Sequence, residues 1–217
     1  MDEYLSEKEQ IERIRDWWRE NGWYLVAGAA LGAAALIGLN QYRGYTEQQA
    51  EQAAALYLDL QNVLEDDDRA AADALLSELR EEYPSSPYTD HAGLLLAGTY
   101  IVSEPARAAR ELRYVMENTE DDELSLIARL RLARVLIYQE SFDEALQLLD
   151  ITGLGQFAAQ YSEVKGDAYY ARGDIDAARM AYAEALSSPG AEWVNRGFIE
   201  MKLGALEVPA AGSGSGA

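Results

Sequence analysis

Residues 166–185 read Gly-Asp-Ala-Tyr-Tyr-Ala-Arg-Gly-Asp-Ile-Asp-Ala-Ala-Arg-Met-Ala-Tyr-Ala-Glu-Ala. Placed beneath Ala133–Thr152, the stretch repeats an earlier one. Ala133 falls on Gly166, Leu136 on Tyr169, Ala145 on Ala178 and Leu149 on Tyr182, each pair 33 residues apart. A small residue in one helix and another in the next let the pair cross closely, and a larger residue one turn away fills the remaining gap. The spacing therefore predicts two helix pairs, near 122–139 with 141–151 and near 157–172 with 174–187, the later pair joined by a tight Gly173-Asp174 turn.

Working outward, further helices are expected near 46–64, 69–83, 88–103 and 105–117, and a last one near 191–206. The breakers agree with these ends: Glu65-Asp-Asp-Asp68, Pro84 and Pro87, Pro105, Gly153 and Gly155, Gly173, and Pro189-Gly190. The pattern resembles the tetratricopeptide repeat, whose period is about 34 residues. The unit at 166–189 carries Gly, Tyr, Gly-Asp, Ala, Tyr and Ala at that family's spacings. It departs at Lys165, where a large apolar residue is usual, and Pro189 falls one residue early. Ala97-Gly-Thr-Tyr100 with Ala108 and Leu112 fits with a shortened turn around Pro105, and Ala54 to Pro84 fits most loosely. Residues 191–206, with Trp193, Val194, Phe198 and Met201 on one approximate face, are expected to cap the array.

Composition supports an all-helical chain. Among 217 residues, 36 Ala and 28 Leu stand against 22 β-branched residues and five prolines. With 18 Lys+Arg against 38 Asp+Glu and a net charge of -20, no general basic surface is available for nucleic acid. No cysteine is present, so disulfides, thiol nucleophiles, thiolate zinc sites and a lipidated N-terminal cysteine are excluded. His91 is the only histidine; it reads as a surface or packing residue, and no catalytic constellation, metal site or cofactor is expected. The run Glu65–Asp68 reads as a solvated loop.

Trp23–Leu39, WYLVAGAALGAAALIGL, is seventeen residues without a charge. As a helix it measures about 25 Å, at the short end of a membrane span. Trp17, Trp18, Trp23 and Tyr24 on one side and Tyr42 and Tyr45 on the other resemble interfacial belts. Lys8, Arg13, Arg15 and Arg19 precede the span, whereas Arg43 is followed by no basic residue until Arg69. That asymmetry places the N-terminus in the cytoplasm and the C-terminal part outside. Ala33-Ala34-Ala35 leaves open a cleaved signal peptide, but the long, acid-containing, tryptophan-bearing leader favours an anchor. Ile11, Ile14 and Trp18 share a helical face and suggest an interfacial helix. Gly28-Ala-Ala-Leu-Gly32 forms a small-residue face on which Gly28 and Gly32 could meet another membrane helix.

The order of these pieces resembles the YfgM family over about residues 3–206. The resemblance rests on Tyr4-Leu-Ser-Glu-Lys-Glu-Gln-Ile-Glu-Arg-Ile-Arg-Asp-Trp-Trp18, Asn21-Gly22-Trp23, Tyr83-Pro-Ser-Ser-Pro-Tyr88 and Gly166-Asp-Ala-Tyr169. It implies an ancillary subunit of the SecYEG translocon in the bacterial inner membrane. Such a subunit works beside the periplasmic chaperone PpiD and helps receive newly exported polypeptides. The expected layout is a cytoplasmic leader (1–22), a transmembrane helix (23–42), a periplasmic tetratricopeptide-like domain (45–206) and a flexible tail (207–217). A periplasmic scaffold for envelope or cell-division assembly is the alternative. Helical repeats bind partners on the concave face formed by the first helix of each pair. Projecting the register places His91, Leu94, Ile101, Val102, Ile127, Arg134, Ile137, Tyr138 and Tyr170 near that face.

Overall fold

A computed structural model of the chain describes residues 7–207. The start of the leader motif, from Tyr4, and the tail beyond Glu207 lie outside the described residues. The chain divides into two compact units, the first ending at Gln52 and the second beginning at Ala53.

Helix α1 runs unbroken from Glu7 to Glu65. The sequence reading separated a leader, a span and a helix at 46–64; the structure joins them. No proline falls in this stretch, and two of its polar side chains bond back to carbonyls of the same helix. Asn21 Nδ2 donates to the Trp17 carbonyl at 3.1 Å, and the Thr46 hydroxyl donates to the Arg43 carbonyl at 2.9 Å. In the first unit Trp23, Tyr24, Leu31, Leu36, Ile37 and Tyr42 are all exposed. Among the described residues, α1 is the one helix long and apolar enough to cross a membrane.

The second unit contains the end of α1 followed by α2 (Arg69–Glu82), α3 (Pro87–Tyr100), α4 (Pro105–Asn118), α5 (Asp122–Tyr138), α6 (Phe142–Leu149), α7 (Ala158–Arg172), α8 (Ile175–Ser187) and α9 (Arg196–Glu207). A single 3₁₀ turn at Gly155–Phe157 leads into α7. Successive helices pair as the repeat register expects. Ala133, Leu136, Ala145 and Leu149 are buried, as are Gly166, Ala178, Tyr182 and Ala185. The core continues through the unit, from Ala53, Leu60, Leu76 and Leu79 through Leu112, Leu132 and Tyr161 to Tyr182 and Ile199.

Three of the intra-pair turns share one device. Asp68 N–H bonds the Val63 carbonyl, Ser141 N–H bonds Leu136, and Asp174 N–H bonds Tyr169, at 2.8, 2.8 and 2.9 Å. This six-to-one closure needs a left-handed residue just before the donor. Asp67 (φ 56), Glu140 (φ 61) and Gly173 (φ 93) supply it. Between pairs, first-turn hydroxyls bond carbonyls at the preceding helix end. Thr89 Oγ1 donates to Tyr83 at 2.7 Å and to Leu79 at 3.3 Å, and Ser125 Oγ donates to Met116 at 2.9 Å.

Charged pairs link the second helices. Arg80–Glu111 joins α2 to α4 and Arg113–Glu144 joins α4 to α6, each at 2.6 Å and each spanning 31 residues. Arg107 of α4 pairs with Asp73 of α2, and its guanidinium lies 3.9 Å from the centre of the Tyr100 ring.

The capping helix starts later than expected. Asn195 caps α9, its side chain accepting from the Phe198 N–H at 3.1 Å, so Trp193 and Val194 lie in the preceding turn. Trp193 is exposed, and the buried contact is made by Ile199, with Val194, Leu203 and Leu206 packed around the same cluster.

Candidate functional site

Helices α3 and α5, the first members of adjacent pairs, frame a groove. One hollow, about 650 Å³, is lined from His91, Leu94 and Gly98 across to Leu124, Ile127 and Arg131. A second, about 390 Å³, runs from Leu94, Gly98 and Ile101 across to Arg131, Arg134 and Tyr138. Shared Leu94, Gly98 and Arg131 make them one continuous groove. Its wall on α5 follows helical periodicity: Ile127, Arg131, Arg134 and Tyr138 recur at intervals of four, three and four. On α3, Gly98 has open space where a β-carbon would stand, which keeps the floor clear.

The structure thus brings together His91, Leu94, Ile101, Ile127, Arg134 and Tyr138. Within that group Tyr138 is 64% exposed and Ile101 37%, whereas Leu94 retains only 7% and is mainly a core residue. Ile137 is half-buried and packs against the core beside this group. Val102 is exposed but lines neither hollow. Tyr170 belongs elsewhere, in an apolar hollow of about 290 Å³ formed with Tyr182 and with Met201, Lys202, Ala205 and Leu206 of α9. Sequence reasoning missed Leu95, Gly98 and Arg131 in the groove. Arg131 was legible from the α5 period; Gly98 offers no side chain to mark it.

At the end bearing His91 and Leu124 the groove meets a third hollow, about 420 Å³, lined by Asp90, Glu120 and Asp121. Burial pushes the Asp90 carboxyl above its ordinary range, outweighing the hydroxyl of Thr119, which donates to it at 2.7 Å. His91 lies against Tyr57, with ring centres 6.5 Å apart. The arrangement offers an apolar channel with cationic and aromatic walls, suited to holding a polypeptide segment.

On α1, Gly28 and Gly32 are exposed, and nothing lies within 4 Å of a β-carbon placed on either. Among the described residues, nothing therefore covers these two glycines.

Comparison with known proteins adds to this geometry. A sequence model of the tetratricopeptide repeat-like domain matches residues 15–208. The chain is 30% identical to a Neisseria gonorrhoeae protein called ancillary SecYEG translocon subunit, across 94% of this chain and 99% of the relative. It is 29% identical to an Escherichia coli protein of the same description, across 96% of this chain and 100% of the relative. A Haemophilus influenzae protein so described is 27% identical across 93% and 98%. No solved structure matches the chain.

Proposed function

The chain belongs to the tetratricopeptide repeat-like family of ancillary SecYEG translocon subunits, and on that premise we propose that it is a non-catalytic, membrane-anchored adaptor of the SecYEG export machinery. The observation that carries this reading is coverage: likeness to the relatives extends over 94–96% of the chain, so the apolar helix and the repeat unit are shared together. Residues 23–42 cross the bacterial inner membrane, residues 1–22 stay in the cytoplasm and residues 45–206 work in the periplasm. The Lys and Arg before the span support that direction.

In the periplasm the domain assists a PpiD-type membrane-anchored chaperone acting on newly translocated polypeptides. The groove bearing His91, Leu94, Ile101, Ile127, Arg134 and Tyr138 provides the contact. Its mixture of aliphatic, aromatic and cationic side chains supports weak contact with many sequences. Ile137 supports the groove wall from behind, and Tyr170 offers a separate apolar contact at the α9 end. In the membrane, the uncovered Gly28–Gly32 face receives a partner helix, because small residues let backbones approach closely.

The test is purification of the full chain in mild detergent, with identification of what accompanies it. SecYEG and a PpiD-type chaperone are expected together, and Gly28→Ile with Gly32→Ile should reduce the translocon recovered without lowering the amount of the chain in the membrane. Recovery of envelope-assembly or cell-division components without the translocon would overturn the proposal in favour of a periplasmic scaffold.

A further inference from the structure

We propose that the groove between α3 and α5 selects an acidic, apolar segment of its polypeptide partner, whose carboxylates pair with Arg131 and Arg134. The inference rests on the reading that the repeat domain contacts polypeptides through this groove, and it adds the chemical class of the occupant.

The chain carries 38 Asp and Glu against 18 Lys and Arg, yet no carboxylate lines either hollow of the groove. Among the described residues, Arg131 and Arg134 are the groove's only fully charged side chains. A basic strip in so acidic a protein is what a carboxylate-bearing partner would seek, and its surroundings would repel that partner from most other approaches.

Arg80, Arg107, Arg113, Arg172 and Arg179 each hold a carboxylate within the chain. Arg131 and Arg134 are exposed and, among the described residues, have no ion-pair or hydrogen-bond partner. A guanidinium presents a planar fork of donors that matches a carboxylate, and pairing strengthens where apolar walls displace water. Here those walls are Leu94, Ile101, Ile127 and Tyr138.

Geometry sets the scale. Arg131 and Arg134 are three residues apart on α5, so their side chains emerge about one turn from each other. From His91 to Ile101 the α3 wall is about 15 Å long, room for a short segment with two carboxylates near its middle. Beyond His91 and Leu124 the acidic mouth at Asp90, Glu120 and Asp121 repels such carboxylates and confines them to the arginine strip.

The experiment measures binding of labelled peptides to the full chain in neutral detergent. The probe is a peptide of Leu, Ala and Glu, about twelve residues long, with Glu three and four positions apart. Its counterparts carry Gln or Lys in place of Glu. The Glu peptide should bind about tenfold more tightly than the Gln peptide, and the Lys peptide more weakly than either. Raising salt from about 50 to about 500 mM should weaken only the Glu peptide. Arg131→Gln with Arg134→Gln should bring the Glu peptide down to the level of the Gln peptide. Ile101→Ser with Tyr138→Ser should weaken both.

If the Glu and Gln peptides bind wild type alike and the arginine variant changes nothing, carboxylate selection is overturned. Loss of binding in Ile101→Ser/Tyr138→Ser then still supports the groove as a contact surface. If binding of the Glu peptide survives both pairs of substitutions, the groove reading falls as well. The comparison of peptides on wild type needs no variant, so it decides the inference even where a substitution harms folding.

Discussion

Gly166 faces the ring of Tyr182 so closely that a β-carbon on Gly166 would run into the ring's Cδ1 and Cε1 atoms. The two residues sit on α7 and α8, and their contact sets how near those helices approach. Tyr182 is buried, and its hydroxyl donates to Asp167 at 2.7 Å, so the ring cannot swing away without losing that bond. Gly166→Ala should therefore destabilise the repeat unit by about 1–3 kcal/mol despite the higher helix propensity of alanine. Urea unfolding followed by circular dichroism measures this. A gain in stability would mean that the α7–α8 spacing is not set by this contact.

Glu140 is a different case, a residue whose backbone disagrees with its side chain. It occupies the left-handed region at φ 61, in the turn position that Gly173 fills one repeat later. Its side chain is exposed. Glu140→Gly should stabilise the chain by about 0.5–1 kcal/mol, since the strain of a β-carbon in that conformation exceeds the added freedom of the unfolded glycine. Gly173→Ala should do the reverse by a similar amount. Paired melting curves of the two variants provide the check.

Lys202 ties α9 to α7. Its ammonium donates to Asp167 at 2.7 Å and to Glu163 at 3.1 Å, and it stands 4.6 Å from the centre of the Phe198 ring. Lys202→Met keeps the packing volume but leaves two part-buried carboxylates side by side. A loss of about 1–3 kcal/mol is expected, and adding Glu163→Gln should restore part of it. Amide hydrogen exchange should show α9 opening first in the single variant. Uniform loss of protection would place the defect elsewhere.

The buried phenols predict an alkaline limit. Burial pushes Tyr161 up to about 12, while its hydroxyl donates to the Leu126 carbonyl at 2.8 Å. Tyr182 is raised further, first by burial and then by its bond to Asp167. In both, the native state holds the proton more tightly than the unfolded chain does. Their contribution is thus whole below the ordinary tyrosine value near 10 and is lost as pH climbs towards 12. Stability should fall steeply above about pH 10, and Tyr161→Phe should fall less steeply than wild type. Ultraviolet titration of tyrosinate alongside circular dichroism tests the coupling, and ionisation of Tyr161 without unfolding would contradict it.

The repeat architecture is determined locally. Small residues at 133, 145, 166 and 178 and large ones at 136, 149 and 182 state the helix pairing because close crossing requires that alternation wherever it occurs. The apolar run at 23–39 is equally plain, since its length and composition need no neighbour to be read. Other features are settled by contacts that a residue pattern does not display. That α1 continues through Asn40 to Thr46 follows from hydrogen bonds closing along the helix, where the polar residues alone suggested an end. Tyr138 and Tyr170 both read as near the concave face, yet one lines the groove and the other a hollow under α9, because α9 docks on α8 through Ile199 and reaches α7 through Lys202. Which arginines are spent on internal carboxylates and which stay free is likewise settled by helix neighbours. Arg80 and Arg113 each meet an acid 31 residues on, whereas Arg131 and Arg134 face an open groove. Periodicity can place a side chain on a face, but only the packed array decides what stands opposite it.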